Sequence, residues 1–305
     1  MSIVRSVRAS LAATVSLKLA LLALVLTAVA ATVITVGQTR RMEELTLEKA
    51  RVAASLGARQ YGNFFDDAID SGLLTVADVF DQSYTPIKGW EWGAHAKYHT
   101  RYDAMTDRAV LVFEDKVLDQ EDFVFAVGVD ERGYLPTHNT RYQKALTGDP
   151  KADLVGNRSK RMFDDPVGLA AARNVEPSLL QVYQRDTGET MWDVSSPIYV
   201  KGKHWGGFRV GVSMERMGAR KRELLLSLLL VFGAFALVTI GAMFLVVRQA
   251  MRPVVALTET ADRISLGEAL DTPIKSDAID EIGKLTKTID RLRVSMKAAM
   301  ARLGH

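Results

Sequence analysis

The chain has 305 residues, with 39 Lys+Arg against 36 Asp+Glu, a formal net charge of +3, 5 His and 0 Cys. That length holds about one to three domains, and so small a net charge leaves no electrostatic footprint for nucleic acid. The absence of cysteine excludes disulfides, thiolate-bound zinc, iron–sulfur clusters, thiol catalysis and covalent haem attachment.

The first element is an uncharged run from Leu19 to Val36, preceded by Lys18 and followed by Arg40 and Arg41. A bilayer core of ~30 Å takes about 20 apolar residues as helix, so a transmembrane helix is expected over 19–37, behind a terminal segment 1–18. The competing reading is a secretory signal, with Arg5 and Arg8 as its basic start and Ala28-Val29-Ala30 as its cleavage site; the apolar run, however, continues past that site to Val36. Residues 38–80 read as one helix continuing the span. Leu45, Ala50, Ala53, Leu56, Ala58 and Phe64 recur at helical spacing, and Gly72 is a stop signal.

An aromatic-rich stretch, Trp90 to Tyr102, leads into an expected helix through Val117. Within it His95 and His99 stand at i,i+4, so a helix would bring both to one face. That spacing suits a metal or a non-covalent haem; the plainer reading is a polar helix surface.

From Asp122 the texture changes to strands. Phe123 to Val129 is a buried-strand run closed by the turn Asp130 to Gly133. A basic, loop-rich segment spans His138 to Asn174. Three β-rich runs follow, Leu179–Arg185, Thr190–Val200 and His204–Met214, separated by Asp186-Thr187-Gly188 and Lys201-Gly202-Lys203, the clearest hairpin signals in the chain. A long helix followed by a small antiparallel sheet with a helical loop inserted makes an α+β domain, 38–222.

Arg158, Lys160, Arg161 and Lys151 fall in the inserted loop, which could close on a carboxylate or another anion, with arginine as a bidentate fork. The plainer reading of this run is a solvated basic loop. Tyr134, His138, Tyr183, Trp192, Tyr199, Trp205 and Arg209 lie on or beside the strands. Some line a pocket and some fill the core, and alternation alone does not say which face is which. Tyr134, His138, Arg158, Lys160, Arg161, Trp192, Tyr199 and Arg209 are the candidate ligand-binding set. No Gly-rich phosphate loop, nucleophile elbow or catalytic carboxylate pair is legible, so neither enzymatic activity nor a cofactor or metal is expected. Gly206-Gly207 lies in a strand and reads as permitting close packing or a bulge, against phosphate binding as the competing reading.

A second apolar run, Leu224 to Val247, predicts a transmembrane helix over 223–247. Basic residues flank both spans on both sides, so charge alone does not orient them. In the C-terminal segment, 248–305, apolar residues at Val254, Leu257, Ala261 and Ile264 form a coiled-coil seam. Gly267 breaks it, a connector carries Leu270 and Ile274, and a second seam runs Ile282, Leu285, Ile289, Leu292, Met296, Ala299, Leu303. Neither helix is long enough to bury its seam alone, which predicts a parallel four-helix bundle in a homodimer.

Three resemblances emerge from these residues. Ser196-Pro197-Ile198-Tyr199-Val200-Lys201-Gly202 followed by Trp205-Gly206-Gly207-Phe208-Arg209-Val210-Gly211 resembles the end of a single Cache domain, the PAS-like extracellular sensor module of bacterial receptors. Gly133 to Asn139 and Asn157 to Phe163 resemble the sensor regions of methyl-accepting chemotaxis proteins. Pro253 just after the membrane, Gly267 at the connector and Asp280-Glu281-Ile282-Gly283 at the second helix resemble a HAMP domain, over about 248 to 300.

The HAMP resemblance implies a cytoplasmic C-terminal segment, signalling roles for Pro253, Gly267, Glu281, Leu285 and Ile289, and a sensor domain in the periplasm of an inner-membrane, two-span receptor. A small-molecule ligand is expected, together with a cytoplasmic or membrane partner supplying the output, because no kinase, cyclase or methylated hairpin follows the second seam before His305; the chain reads either as a piece of a longer receptor or as one acting by contact. Two other readings stand beside this: a membrane-tethered haem or metal sensor, and an accessory subunit without a ligand of its own.

Overall fold

The structure, a computed structural model, describes residues 11–88 and 95–303. Arg5, Arg8, Trp90 and His305 lie outside the described residues. Helix α1 (Leu11–Asp70) runs 60 residues without a break. It stops at the glycine signal and not at residue 80. Gly72 takes φ +71°, and the N–H groups of Gly72 and Leu73 donate to the carbonyls of Ile69 and Ala68, both at 3.0 Å. These are the paired bonds of a Schellman cap. A separate turn, α2 (Val76–Val79), starts on Thr75, which forms a capping box with Asp78.

Next, β1 (Thr85–Pro86) pairs antiparallel with β2 (Tyr98–His99), so the helix expected across His95 and His99 is not formed. Lys97, between them, is fully buried. Its ammonium donates to the Asn157 carbonyl at 3.2 Å, to Asn157 Oδ1 at 2.6 Å and to the Ser159 carbonyl. The Tyr98 N–H donates to the Lys160 carbonyl at 2.8 Å. These long-range bonds hold the backbone extended and outweigh local helical preference. Helices α3 (Asp103–Ala109) and α4 (Leu111–Val117) follow.

Strand β3 (Phe123–Asp130) leads to β4 (Tyr134–Leu135), α5 (Pro150–Gly156), β5 (Arg161–Met162) and α6 (Pro166–Ala172), with β4 pairing β5. Then come β6 (Leu179–Gln184), β7 (Thr190–Val200) and β8 (Lys203–Ser213). The antiparallel sheet has the order β3-β8-β7-β6. Both expected hairpins are present: Gly188 turns at φ +91°, and Lys201 and Gly202 at +49° and +76°. The latter pair is the doubly left-handed turn that matches strand twist.

One sheet face packs on α1. Ala50, Ala54, Ala58, Tyr61 and Phe65 recur every three or four residues and meet Ala126, Val194, Ile198, Phe208, Val210 and Val212. Small residues on this helix face let the backbones of helix and sheet approach. A Cβ on Gly62 would lie 2.4 Å from the Tyr199 carbonyl oxygen. Trp205 stacks on Tyr61 with ring centroids 5.3 Å apart and donates its indole N–H to the Val79 carbonyl at 2.8 Å. At the outer edge of β3, Ala126 N–H is taken by Asn139 Oδ1 at 2.9 Å and Gly128 N–H by Glu114 Oε1 at 3.3 Å, so side chains occupy an otherwise open strand edge. The opposite face carries Phe125, Val127, Val129, Leu135, Ala172 and Met191. Gly206 and Gly207 pack as read: a Cβ there would fall 2.0 Å from the Val129 carbonyl oxygen and 2.3 Å from that of Ala171.

Strand β8 ends at Ser213 and helix α7 (Met214–Ser265) begins at the next residue. Arg220 donates to Asp122 at 2.8 Å, and Lys221 pairs with Glu43 of α1. These elements, with α1 from Val36 and α7 as far as Leu225, belong to one compact unit; among the described residues, those up to Thr35 and from Leu226 belong to a second. Both α1 and α7 contain a stretch long and apolar enough to cross a membrane, with none of that stretch buried against protein. Apolar exposure all round a helix suits lipid.

In the second unit Pro253 lies inside α7 without ending it. Gly267 ends it, at φ +82°, with Gly267 N–H donating to Ile264 at 3.0 Å and Glu268 N–H to Arg263 at 2.9 Å, a second Schellman cap. Helix α8 (Glu281–Leu303) is capped by Asp280, whose Oδ1 accepts from Ile282 N at 3.0 Å and Gly283 N at 3.2 Å. Glu281 supplies the acidic first turn. A Cβ on Gly283 would lie 1.8 Å from the Ala278 carbonyl oxygen, so glycine is required there. Asp290 Oδ1 accepts from Ile274 N at 3.0 Å, and Arg293 donates to the Leu270 carbonyl at 2.5 Å, tying the connector to α8. Leu257 and Ile264 of the first seam are buried; Leu285 and Leu292 of the second are exposed.

Candidate functional site

On the sheet face away from α1 lies a cavity of about 390 Å³. Phe125, Val127 and Val129 of β3 line it, as do Tyr183 of β6 and Arg209 of β8, with Leu135 of β4, the β5 residues and the turns around them completing its walls. Beyond the register shift between Phe123 and Phe125, strand alternation puts Phe125, Val127 and Val129 into the cavity and Ala126 and Gly128 against α1.

Four arginines converge here: Arg158, Arg161, Arg185 and Arg209. Arg158 Nη2 donates to both oxygens of Asp186, at 2.8 and 3.1 Å, and Arg161 Nη2 donates to Asp186 Oδ2 at 2.9 Å. Arg209 holds the fully buried Asp193 through Nε at 2.9 Å and Nη2 at 2.5 Å. Arg185 meets Glu189 at 3.5 Å and lies 5.0 Å from the Tyr142 ring centroid. Arg161 sits 4.4 Å over Phe163, close enough for a cation–π contact.

Burial pulls Arg158 down to about 10, reinforced by the charge of Arg185, which still leaves it cationic at neutral pH. Asp186 is held below the ordinary carboxylate range: burial pushes it up, and Arg158 and Arg161 outweigh that. His138 is 2% exposed, and burial, with Arg158 and Arg185 nearby, drives its pKa well below the usual value. It is therefore neutral. Its ring lies 4.6 Å from that of Tyr142, and its Nδ1 has no hydrogen-bond partner among the described residues. Such an orphaned buried nitrogen is uncommon and marks a place for a further polar group.

Of the eight residues singled out in the sequence, the structure brings together His138, Arg158, Arg161 and Arg209 at this cavity. The other four lie elsewhere. Tyr134 is buried beside Tyr102, its hydroxyl donating to Asp103 Oδ2 at 2.8 Å. Lys160 turns away to Asp107 at 2.6 Å and Asp103 at 3.2 Å. Trp192 packs on the α1 side of the sheet, and Tyr199 is about half exposed at the far end of β7. Lys151 is exposed as well. His95 lines the cavity, whereas His99 is exposed with Nδ1 3.6 Å from Asp103; the two do not form the shared face that ligation needs. The site roles of Arg185 and Asp186 are hidden in the sequence, where Asp186-Thr187-Gly188 reads first as a turn.

Fold and site together define a chain with two helices able to span a membrane, an α+β module holding a buried arginine-lined cavity, and a capped helix–connector–helix segment. Residues 245–298 match the HAMP domain family. Among solved structures, the E. coli DcuS sensor domain aligns at 20% identity and a TM-score of 0.28, over 37% of this chain and 72% of that one. The sensory domain of the Campylobacter jejuni chemoreceptor Tlp3, with isoleucine bound, aligns at 12% identity and 0.28, over 59% and 64%. An extracellular ligand binding receptor from Desulfohalobium retbaense aligns at 15% and 0.25, over 55% and 25%. No curated protein matches the chain.

Proposed function

We propose that the chain is a transmembrane receptor: residues 38–222 bind a small anionic molecule outside the cytoplasm, and the change passes along α7 to a cytoplasmic HAMP bundle in a homodimer of an inner membrane. The observation that carries this reading is continuity. The strand bearing Arg209 runs without a linker into α7, and α7 itself enters the HAMP segment at residue 245. The four arginines favour an anion as the ligand, since a guanidinium presents a planar fork that matches carboxylate geometry. The half-exposed seam on α8 favours a second copy as its cover, because two such helices from each chain close a bundle. A ligand need supply a differential affinity of only ~1–3 kcal/mol to shift two packings of similar energy.

The test is a thermal-shift panel on the full chain in detergent, with acetate, succinate, citrate, glutamate, phosphate and sulfate set against uncharged amide or ester analogues. A ligand at ~100 times its Kd adds about 2.7 kcal/mol, or roughly 5–10 °C for a domain of this size. Shifts confined to anions are expected. Shifts confined to the uncharged analogues would overturn the anionic assignment, and no shift with anything would favour an accessory subunit without a ligand.

A further inference from the structure

We infer that Asp186 is an internal stand-in for the ligand: in the free protein its carboxylate occupies the guanidinium fork of Arg158 and Arg161, and a carboxylate-bearing ligand replaces it there. This rests on the reading of the cavity as an anion site and adds how that site is kept closed to weak competitors.

Arg158 and Arg161 are 4% and 8% exposed at their side chains, whereas Asp186 is 31% exposed. Two guanidiniums buried that deeply need a counter-charge at all times, because an unpaired buried charge is strongly unfavourable. The nearby acids differ in what else they do. Asp165 Oδ1 accepts from the N–H groups of Val167 and Gly168 at 3.0 and 3.1 Å and so caps α6. Asp193 is fully buried under Arg209. The Asp186 carboxylate bonds only the two arginines among the described residues.

It also stands on a turn that closes without it. Arg185 N–H donates to the Glu189 carbonyl and Gly188 N–H to the Arg185 carbonyl, both at 2.8 Å. The carboxylate can therefore swing out by side-chain rotation while the hairpin stays intact. Exchange of one carboxylate for another conserves charge in the fork, so the swap carries no uncompensated buried ion. Beyond the fork, neutral His138, whose buried Nδ1 has no hydrogen-bond partner among the described residues, is one of the residues lining the same cavity. The ligand class is accordingly a small carboxylate with a second hydrogen-bonding group.

A rival role, Asp186 as a permanent strut that aligns the arginines, predicts the opposite sign. An internal competitor lowers apparent affinity by the fraction of time the fork is open. Full-length Asp186→Ala and Asp186→Asn are compared with wild type, using sodium acetate against sodium chloride at matched ionic strength. Acetate should raise the melting temperature of Asp186→Ala saturably and leave wild type unmoved; an equal response, or none in the variant, overturns the inference. Should Asp186→Ala fail to fold, Asp186→Asn carries this arm. For any carboxylate that binds wild type in the panel, Asp186→Asn should bind about tenfold tighter or more. Unchanged or weaker binding overturns the stand-in and leaves the receptor reading in place. A panel without hits defeats the receptor reading, and the acetate arm still decides on Asp186.

Discussion

Gly62→Ala sets local preference against packing. Alanine is the better helix former, by about 1 kcal/mol, and α1 is helical throughout this region. On propensity alone the substitution should stabilise. The new methyl, however, would lie 2.4 Å from the Tyr199 carbonyl oxygen, about 1 Å short of the 3.4 Å at which ordinary contact begins. The obstacle is backbone, at a register shift in β7, and cannot rotate aside. The helix must lift, loosening the Ala58, Tyr61 and Phe65 contacts on either side. Overpacking of this kind costs ~1–3 kcal/mol, and a rigid obstacle puts it at the upper end. The net loss is about 2 kcal/mol, or roughly 4–8 °C in a unit of this size. Gly218→Ala is the control, since nothing lies within 4 Å of its Cβ position in α7; it should hold or gain ~1 kcal/mol. Thermal unfolding of the two full-length variants, followed by circular dichroism, compares them. A Gly62→Ala protein at least as stable as Gly218→Ala would refute the close-packing argument.

Asp193→Asn should leave the Arg209 charge buried without its partner and destabilise by ~3–5 kcal/mol in chemical denaturation; a loss below about 1 kcal/mol would contradict the pairing. Glu114 is fully buried, and burial raises its pKa well above the ordinary value despite the Gly128 N–H. The folded protein thus holds a proton that the unfolded chain releases near its ordinary pKa of 4.5, so this group's contribution falls as pH rises from there, by at most ~1.4 kcal/mol per unit. Glu114→Gln should flatten that slope, and a stability–pH curve identical to wild type would refute the assignment. Leu285→Arg places a charge on the exposed half-seam of α8; cross-linking between copies and signalling should be lost while ligand binding persists, and retained cross-linking would count against the dimeric bundle.

The two hairpins were legible because their turns are written in adjacent residues, and the HAMP-like segment because its caps and seams are local and periodic. The cavity was only half legible. The run Arg158, Lys160, Arg161 reads as one basic cluster, yet Lys160 takes φ +63° and its ammonium turns away to Asp103 and Asp107. Spacing along a chain does not reveal such a reversal. Trp192 carries the same composition signal as Tyr183, and only the sheet's register separates the α1 side from the cavity side. The extended course of His95 to His99 was hidden because its cause lies some 60 residues away, in the acceptors offered to Lys97 by Asn157 and Ser159.

Strand β8 passes into α7 between Ser213 and Met214 with no residue to spare. Arg209 stands five positions before that junction, about 17 Å along a strand, and Arg220 and Lys221 fasten the first turns of the helix to Asp122 and Glu43. A flexible hinge placed there would let the cavity rearrange in private. This junction contains none, so it behaves as a stiff crank: whatever displaces β8 must turn or slide the start of α7, or break the ion pairs that hold it.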